Sequence, residues 1–435
     1  MTVAFVTLGC KVNQVDSDAL RQHMEAAGYT CVEPEAAPDV VVVNSCAVTA
    51  ESERKTRQKL RHFRALYREC VLVLTGCAAQ VGKEGDYPEA DIVLGHREAY
   101  DLAYYINEFS RVKVRILCVS AHQRDELFSD DLTRKSDCRT RAHLKIEDGC
   151  NQYCAYCIIP HARGHVRSLP LDAVRREVQA LDAQGFQELV LVGINLAAYG
   201  SDLGCGLGDA LALFSKLELN SIRRVRLGSL EPDLLTPAFI SKLENTFDSR
   251  MELCPHFHLS LQSGSDSVLK RMNRHYSAKE YYGLVKRLRG LFPGASVTTD
   301  IMVGFPGESE AEFEASLAFA REVGFAKVHV FPYSARPGTA AAAMPEQIPR
   351  ATKQARAKKM LALAEELHTN FLNSQIGRTL EVLPEEPHPG GGMQGYSAHY
   401  APVRIADAGP ELQNQIVPVK IESVQGGYCV GALSR

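Results

Sequence analysis

The chain has 435 residues, which at roughly 150 residues per domain allows two to four domains with their own cores and excludes a single small binding module. Hydrophobic residues make up 45% and charged residues 23%, which excludes a disordered, collagen-like or fibrous chain. Its net charge of -3, from 49 basic against 52 acidic side chains, means that any nucleic-acid contact rests on a local patch. Apolar runs such as residues 40–43 fall far short of the roughly 18 residues that a membrane span needs. Thirteen cysteines, with neither a basic segment nor a signal-length apolar stretch in residues 1–10, point to a reducing cytosol. There, spaced cysteines are more often metal or redox ligands than disulfides.

The first stretch reads as a parallel α/β unit. β-Rich runs at 3–8, 39–43, 71–74 and 91–94 alternate with helical patterns, the first carrying Leu20, His23, Met24 and Ala27 at spacings of three and four. Three of the four runs lead at once into a cysteine, at Leu8-Gly9-Cys10, Asn44-Ser45-Cys46 and Thr75-Gly76-Cys77. Ligands of open parallel sheets bind outside the carboxyl ends of the strands, so these loops bring three thiols to one edge. Three buried cysteines ending core strands are the plainer alternative. The helix after Cys46 spaces Arg54, Arg57, Arg61, Arg64 and Arg68 along one face, with Leu60, Phe63 and Tyr67 beside them. That stripe is either a phosphate-binding surface or a solvated basic face.

Residues 112–138 read as a polar connector, acidic around 125–131. Strands are then expected at 142–147, 188–192, 224–227, 256–261, 297–303 and 327–331, with helices such as 172–183, 279–291 and 310–323 between them. Six such units fit a (β/α) barrel lacking two of eight, with function at the carboxyl ends, where Gly193, Asn195, Ser229, Glu231, Gln262, Ser263, Asp300 and Tyr333 stand. Residues 349–375 form one helical pattern with Leu361, Ala364, Leu367, His368 and Phe371 on a face, expected to pack on the barrel. Short strands at 379–383, 403–405, 417–424 and 428–433, with a loop at 384–392, suggest a small antiparallel barrel.

The strongest motif is Cys150-Asn151-Gln152-Tyr153-Cys154-Ala155-Tyr156-Cys157 at the end of the first barrel strand. Structural zinc wants four closed ligands, whereas three thiolates on an iron–sulfur cube leave one iron open. This spacing resembles the radical S-adenosylmethionine (SAM) superfamily. Together with Thr7-Leu8-Gly9-Cys10-Lys11-Val12-Asn13-Gln14, Val43-Asn44-Ser45-Cys46-Ala47-Val48-Thr49, Thr75-Gly76-Cys77-Ala78-Ala79-Gln80, Leu261-Gln262-Ser263-Gly264 and Gly304-Phe305-Pro306-Gly307-Glu308, nearly the whole chain resembles the radical SAM tRNA methylthiotransferases.

That resemblance implies an N-terminal Rossmann-like methylthiotransferase domain (1–118), a partial (β/α)6 radical SAM core (138–374) and a small RNA-binding β-barrel of the TRAM kind (375–435). It implies a SAM-cleaving 4Fe-4S cluster on Cys150, Cys154 and Cys157 and an auxiliary 4Fe-4S cluster on Cys10, Cys46 and Cys77. The family uses one SAM to methylate a sulfur on the auxiliary cluster and splits another into the radical that activates C2–H of an adenine, so no side-chain acid, base or nucleophile is required. SAM itself is expected to meet Arg163, the backbone of residues 192–195 including Gly193 and Asn195, Ser229, Glu231 and Gln262. For Arg163 and Glu231 an ordinary ion pair at the barrel rim is the alternative. Where the family leads one to expect Arg-Gly-Arg, this chain reads Arg163-Gly164-His165-Val166-Arg167, one permanent positive charge fewer.

The run from Thr7 to Gln14 resembles the bacterial branch acting on N6-threonylcarbamoyladenosine. Lys11, Asn13 and Gln14 are candidates to line the pocket for its carboxylate, with shaping of the loop as the alternative, and Arg57, Arg61 and Arg64 are candidates for phosphates. The implied partners are an ANN-decoding tRNA, met at its anticodon loop, and an electron donor such as flavodoxin or ferredoxin. Isopentenyladenosine or a ribosomal-protein aspartate as substrate, and a non-catalytic iron–sulfur RNA-binding protein, are the competing readings. From residue 376 on there are 4 basic against 6 acidic residues, so RNA recognition there would use shape and stacking by Tyr396, His399 or Tyr400, unless these are core. Gly390-Gly391-Gly392 lacks the Lys-Ser/Thr of a phosphate loop. The remaining cysteines read as isolated buried thiols.

Overall fold

The computed structural model describes residues 1–129, 140–246 and 251–434. Valine-rich runs buried on both faces, alternating with amphipathic helices, build a six-stranded, all-parallel sheet. Its order is Thr30–Cys31, Thr2–Thr7, Val40–Ser45, Val71–Gly76, Ile92–Leu94 and Ile116–Cys118. The two outer strands are additions to the sequence reading. Ile116–Cys118 pairs in parallel with Ile92–Leu94 and so turns the start of the expected connector into sheet. The connector's residues 130–138 and Cys138 lie outside the described residues.

By packing, the chain divides into two compact units. The first is Met1–Lys135 with Glu147–Leu169 and Ser334–Ala343, and the second is Ser136–Ile146, Pro170–Tyr333 and Met344–Arg435. This grouping crosses the expected domain limits for a physical reason. Ile158 and Ala162, from the segment that carries the CxxxCxxC motif, are buried in the same apolar cluster as Val41, Val43, Leu72 and Leu74 of the N-terminal sheet.

In the second unit, two parallel four-stranded sheets run in the orders Ala142–Lys145, Glu188–Val192, Arg224–Leu227, Glu252–Leu253 and Ser229–Leu230, His256–Leu259, Ser296–Val303, Lys327–Pro332. These are the six positions of a partial (β/α)6 barrel, the third and fourth each split between two short strands. Helices between them are sharply bounded: Ala278–Leu291 and Glu310–Val323 each begin with a reciprocal cap, Ser277 with Glu280 and Ser309 with Glu312. Helix Arg350–Asn373 packs along the last strand, His368 Nδ1 lying 2.8 Å from the Ala326 carbonyl oxygen. Its buried face is Ala357, Met360, Leu363, Ala364 and Leu367, whereas Leu361, expected on that face, is 53% exposed.

The C-terminal strands Thr379–Pro387, Met393–Ser397, Pro402–Ile405, Val417–Gln425 and Tyr428–Leu433 close a barrel around Leu380, Val382, Val403, Ile405, Val419 and Ile421. Much of the expected 384–392 loop is strand, because the first strand continues to Pro387 across a bulge between Pro384 and Glu386. The barrel is also not wholly antiparallel: Pro402–Ile405 pairs in parallel with Tyr428–Leu433.

Candidate functional site: two sets of three cysteines

Cys10 caps helix Lys11–Ala26, Cys46 directly follows strand Val40–Ser45, and Cys77 opens the short helix Cys77–Val81. Register aligns Thr7 with Asn44 and Ser45 with Gly76, so all three loops leave one edge of the sheet. The motif residues around the cysteines explain why. Asn13 donates through Nδ2 to the Ser45 carbonyl (2.8 Å) and Asn44 Oδ1 (3.1 Å), while its Oδ1 lies 3.4 Å from Cys10 Sγ. Asn44 Nδ2 returns a bond to the Asn13 carbonyl (2.9 Å), and Ser45 Oγ donates to the Thr75 carbonyl and accepts from the Ala78 amide. Three loops are thus tied into one cradle by buried amides and a hydroxyl. Gly76, at φ +86°, is required there, since a Cβ would lie 2.3 Å from Asn44 Oδ1.

Cys150, Cys154 and Cys157 sit in a loop that follows strand Glu147–Asp148, which pairs antiparallel with Arg167–Ser168. Cys157 N donates to the Cys154 carbonyl, and Cys150 N to the Gly164 carbonyl. Gly149 has φ +86°, and a Cβ there would stand 1.9 Å from the His165 carbonyl, so only glycine allows this close return of the chain. Tyr153, also left-handed at φ +47°, is 51% exposed between the first two cysteines.

Arg163 is only 1% exposed. Its Nη1 donates to both carboxylate oxygens of Asp148 (3.1 and 3.0 Å), and its Nη2 to Asp16 Oδ2 (2.8 Å) and Asn13 Oδ1 (3.1 Å). Burial pushes the Cys77 thiol up to about 12, and the charge of Arg163 opposes that rise. The bonds to Asp148 and Asp16 commit Arg163 to carboxylates of the protein, correcting its expected role towards the carboxylate of SAM. Glu231 is ion-paired instead with Arg274, so the rim pair considered from sequence is replaced by two separate ones. Arg167 bonds the Arg163 carbonyl (2.8 Å) and Glu126 (3.2 Å), and His165 lies 3.0 Å from Asn151 Oδ1.

The other SAM candidates belong to the second unit. Gly193 and Asn195 follow strand Glu188–Val192, and the buried Asn195 accepts through Oδ1 from the Glu231 amide (3.3 Å). Ser229 begins the neighbouring short strand. Gln262 is left-handed at φ +68° and bridges Ile301 through backbone bonds to Asp300 and Met302. Burial raises the Glu231 carboxyl, and Arg274 opposes that rise. Arg274 was missed in sequence, its only signal being its place in the basic run 270–274.

The substrate candidates divide. Asn13 is buried in the cradle, which corrects its reading as pocket lining, while Lys11 and Gln14 are half-buried. In the arginine stripe, Arg54 pairs with Glu51, Arg57 with Glu53, Arg61 with Glu89 and Arg64 with Asp91. Arg64 also donates to the carbonyls of Arg68, Cys70 and Glu89, so its role is structural, a correction to its reading as a phosphate ligand. Tyr396 and Tyr400 stack on each other at 4.7 Å beneath the Arg141 guanidinium, and His256 stacks on Tyr400 at 4.6 Å. Tyr396, His399 and Tyr400 are all half-buried, and the two tyrosine rings make these stacking contacts inside the second unit.

Residues 2–95 match the model described as Uncharacterized protein family UPF0004, and residues 144–320 that of the Radical SAM superfamily. With the partial barrel and the CxxxCxxC loop, this defines a radical SAM enzyme, a class that works with a 4Fe-4S cluster and SAM. Threonylcarbamoyladenosine tRNA methylthiotransferase MtaB of Bacillus subtilis is 35% identical, covering 98% of this chain and 94% of its own length. The protein of the same name from Thermotoga maritima is also 35% identical, over 92% and 90%. A tRNA-2-methylthio-N(6)-dimethylallyladenosine synthase from Pelotomaculum thermopropionicum is 32% identical, over 99% and 97%. The chain belongs to the radical SAM tRNA methylthiotransferases. Among solved structures, the radical SAM methyltransferase TsrM from Kitasatospora setae shares the fold, with a TM-score of 0.54 at 14% identity over 78% of this chain and 74% of that one.

The residues present fit an iron–sulfur cube. Each set offers three free thiols, as a cube that keeps one iron open requires. Among the described residues no group of three or more His, Cys, Asp or Glu side chains is gathered to hold a single metal ion. A cube takes one thiolate at each of three iron corners and needs a wider spread.

Proposed function

We propose that this enzyme transfers a methylthio group to C2 of N6-threonylcarbamoyladenosine at position 37 of tRNA, giving 2-methylthio-N6-threonylcarbamoyladenosine. The observation that carries the reading is two separate three-cysteine sets within one compact unit. The Thr7–Gln14 motif and the similarity to the MtaB proteins support the threonylcarbamoyl branch. When bound, a SAM-loaded cluster supplies the radical and a second cluster carries the sulfur. The thiolates of Cys150, Cys154 and Cys157 hold the first, and those of Cys10, Cys46 and Cys77 the second.

The remaining roles belong to side chains. Asn195, Ser229 and Glu231, with the backbone at Gly193 and Gln262, bind and orient SAM. Lys11 and Gln14 meet the threonylcarbamoyl carboxylate, for which a cationic or hydrogen-bonding lining is needed where an isopentenyl group would need an apolar one. Arg57 and Arg61 meet phosphates near the anticodon loop of an ANN-decoding tRNA. The terminal barrel contributes by shape and backbone groups. The reaction takes place in the cytoplasm, with flavodoxin or ferredoxin as electron donor.

The test is anaerobic reconstitution followed by mass spectrometry of nucleosides from treated tRNA. The expected result is two clusters per chain and the methylthio-threonylcarbamoyl nucleoside. Replacing Cys150, Cys154 and Cys157 by alanine abolishes SAM cleavage. Replacing Cys10, Cys46 and Cys77 leaves some cleavage and no methylthio product. One cluster, stoichiometric zinc, or product from the second triple variant refutes the division of labour; product only on isopentenyladenosine tRNA overturns the branch.

A further inference from the structure

Arg163 has no part in the chemistry above, yet it is buried and makes four hydrogen bonds beside the cysteines. Its four charge-assisted bonds reach three acceptor residues. Asp148 lies two residues before Cys150, while Asn13 and Asp16 lie on the helix that Cys10 caps. The Asn13 Oδ1 that accepts from Arg163 also lies 3.4 Å from Cys10 Sγ, so the guanidinium and the Cys10 thiol share one acceptor. One planar cation therefore touches the segment leading into one cysteine set and the helix that begins at the first cysteine of the other. A bidentate fork of this kind fixes both distance and angle, which a lysine ammonium on a flexible stem does not.

We propose that Arg163 is a positioning residue between the two clusters: it fixes the Cys150 loop against the helix that Cys10 caps and holds a positive charge against the cluster on Cys10, Cys46 and Cys77. This rests on the reading that those three cysteines hold a cluster. Hydrogen bonds to cluster sulfurs and nearby positive charge favour the reduced, more negative state, so the residue raises that cluster's reduction potential.

The experiment uses the full chain reconstituted anaerobically, as wild type, R163K and R163Q. Iron and sulfide are counted first; a wild type with one cluster defeats the underlying reading, separately from the role of Arg163. With two clusters present, redox titration followed by electron paramagnetic resonance is done in the background lacking Cys150, Cys154 and Cys157. R163Q shifts the remaining cluster to lower potential, and R163K, which keeps the charge, shifts it less. In the background with all six cysteines, dipolar coupling between the two reduced clusters gives a broader distance distribution in R163K than in wild type. R163K decides the case if R163Q fails to load. A distance distribution in R163K equal to wild type overturns the proposal, as does an unchanged potential in a loaded R163Q.

Discussion

Arg163 in the first unit and Arg226 in the second are both almost wholly buried, and they are neutralised in opposite ways. Arg163 has two carboxylates, Asp16 and Asp148, at hydrogen-bond distance, with Arg167 3.8 Å from Asp148 and paired to Glu126. Arg226 shares the single carboxylate of Glu188 with Arg224, with Arg141 at 3.9 Å. The surplus donors of Arg224 and Arg226 go instead to the carbonyls of Glu381, Tyr396, Ser397 and Ala398 in the terminal barrel, and Arg226 lies over the Tyr400 ring. Excess acid around Arg163 locks one cation in one place beside the thiols. Excess arginine around Glu188 uses charge mainly as a source of hydrogen-bond donors that fasten the terminal barrel to the core strands.

The largest effect is expected where one anion serves several cations. Glu188→Ala leaves Arg224 and Arg226 buried without their shared partner and costs about 3–5 kcal/mol, measured by urea denaturation of the second unit. Asp148→Asn, which leaves Asp16 on Arg163, costs about 1–3 kcal/mol. Equal losses at the two sites would break the comparison.

Acid sharpens it further. Burial pushes the His399 imidazole down to about 4, with Arg378, Arg226 and Arg224 adding to the fall. Between about pH 6.5, the ordinary value for histidine, and about 4 the unfolded chain binds the extra proton, so stability falls as the pH is lowered through that window. Thermal melts across it should flatten in His399→Asn. The three arginines hold the Glu188 carboxyl far below its usual range despite burial, so its own contribution survives to lower pH and is lost only in stronger acid. The smallest effect is expected at the exposed stripe. Arg57→Gln with Arg61→Gln lowers the salt slope of tRNA binding by about 1 or less, against roughly 2 for two phosphate contacts made by unpaired arginines, because Glu53 and Glu89 already compete for those side chains.

All six barrel strand positions and both cysteine sets were legible in the sequence, because each strand is a β-rich run, Cys10, Cys46 and Cys77 follow such runs directly or after a glycine, and Cys150, Cys154 and Cys157 share one short spacing. Strands of two or three residues, such as Thr30–Cys31 and Ile116–Cys118, were not, since they have no period to read. Met393–Ser397 was hidden by its glycine and polar residues. The partners of Arg163 were illegible for a different reason: Asp16 is 147 positions away from it, and no local pattern encodes a long-range ion pair. His96 escaped similarly. It follows strand Ile92–Leu94 as the cysteines follow theirs, and burial pushes its imidazole down to about 3.

The first unit is discontinuous, and this bears on how it is made. Glu147–Leu169 supplies Arg163, while Ser334–Ala343 supplies Arg336, paired with Glu53, and the Ala341 amide that bonds Ala155. A ribosome adding about 5–20 residues per second needs roughly 10–45 s to pass from the last sheet strand to the end of that final segment. For that interval the parallel sheet stands with its thiols on a growing chain, before the last pieces of their surroundings exist. Completion of the first unit is thereby tied to late synthesis, and a gene divided after the sixth strand cannot deliver a finished first unit.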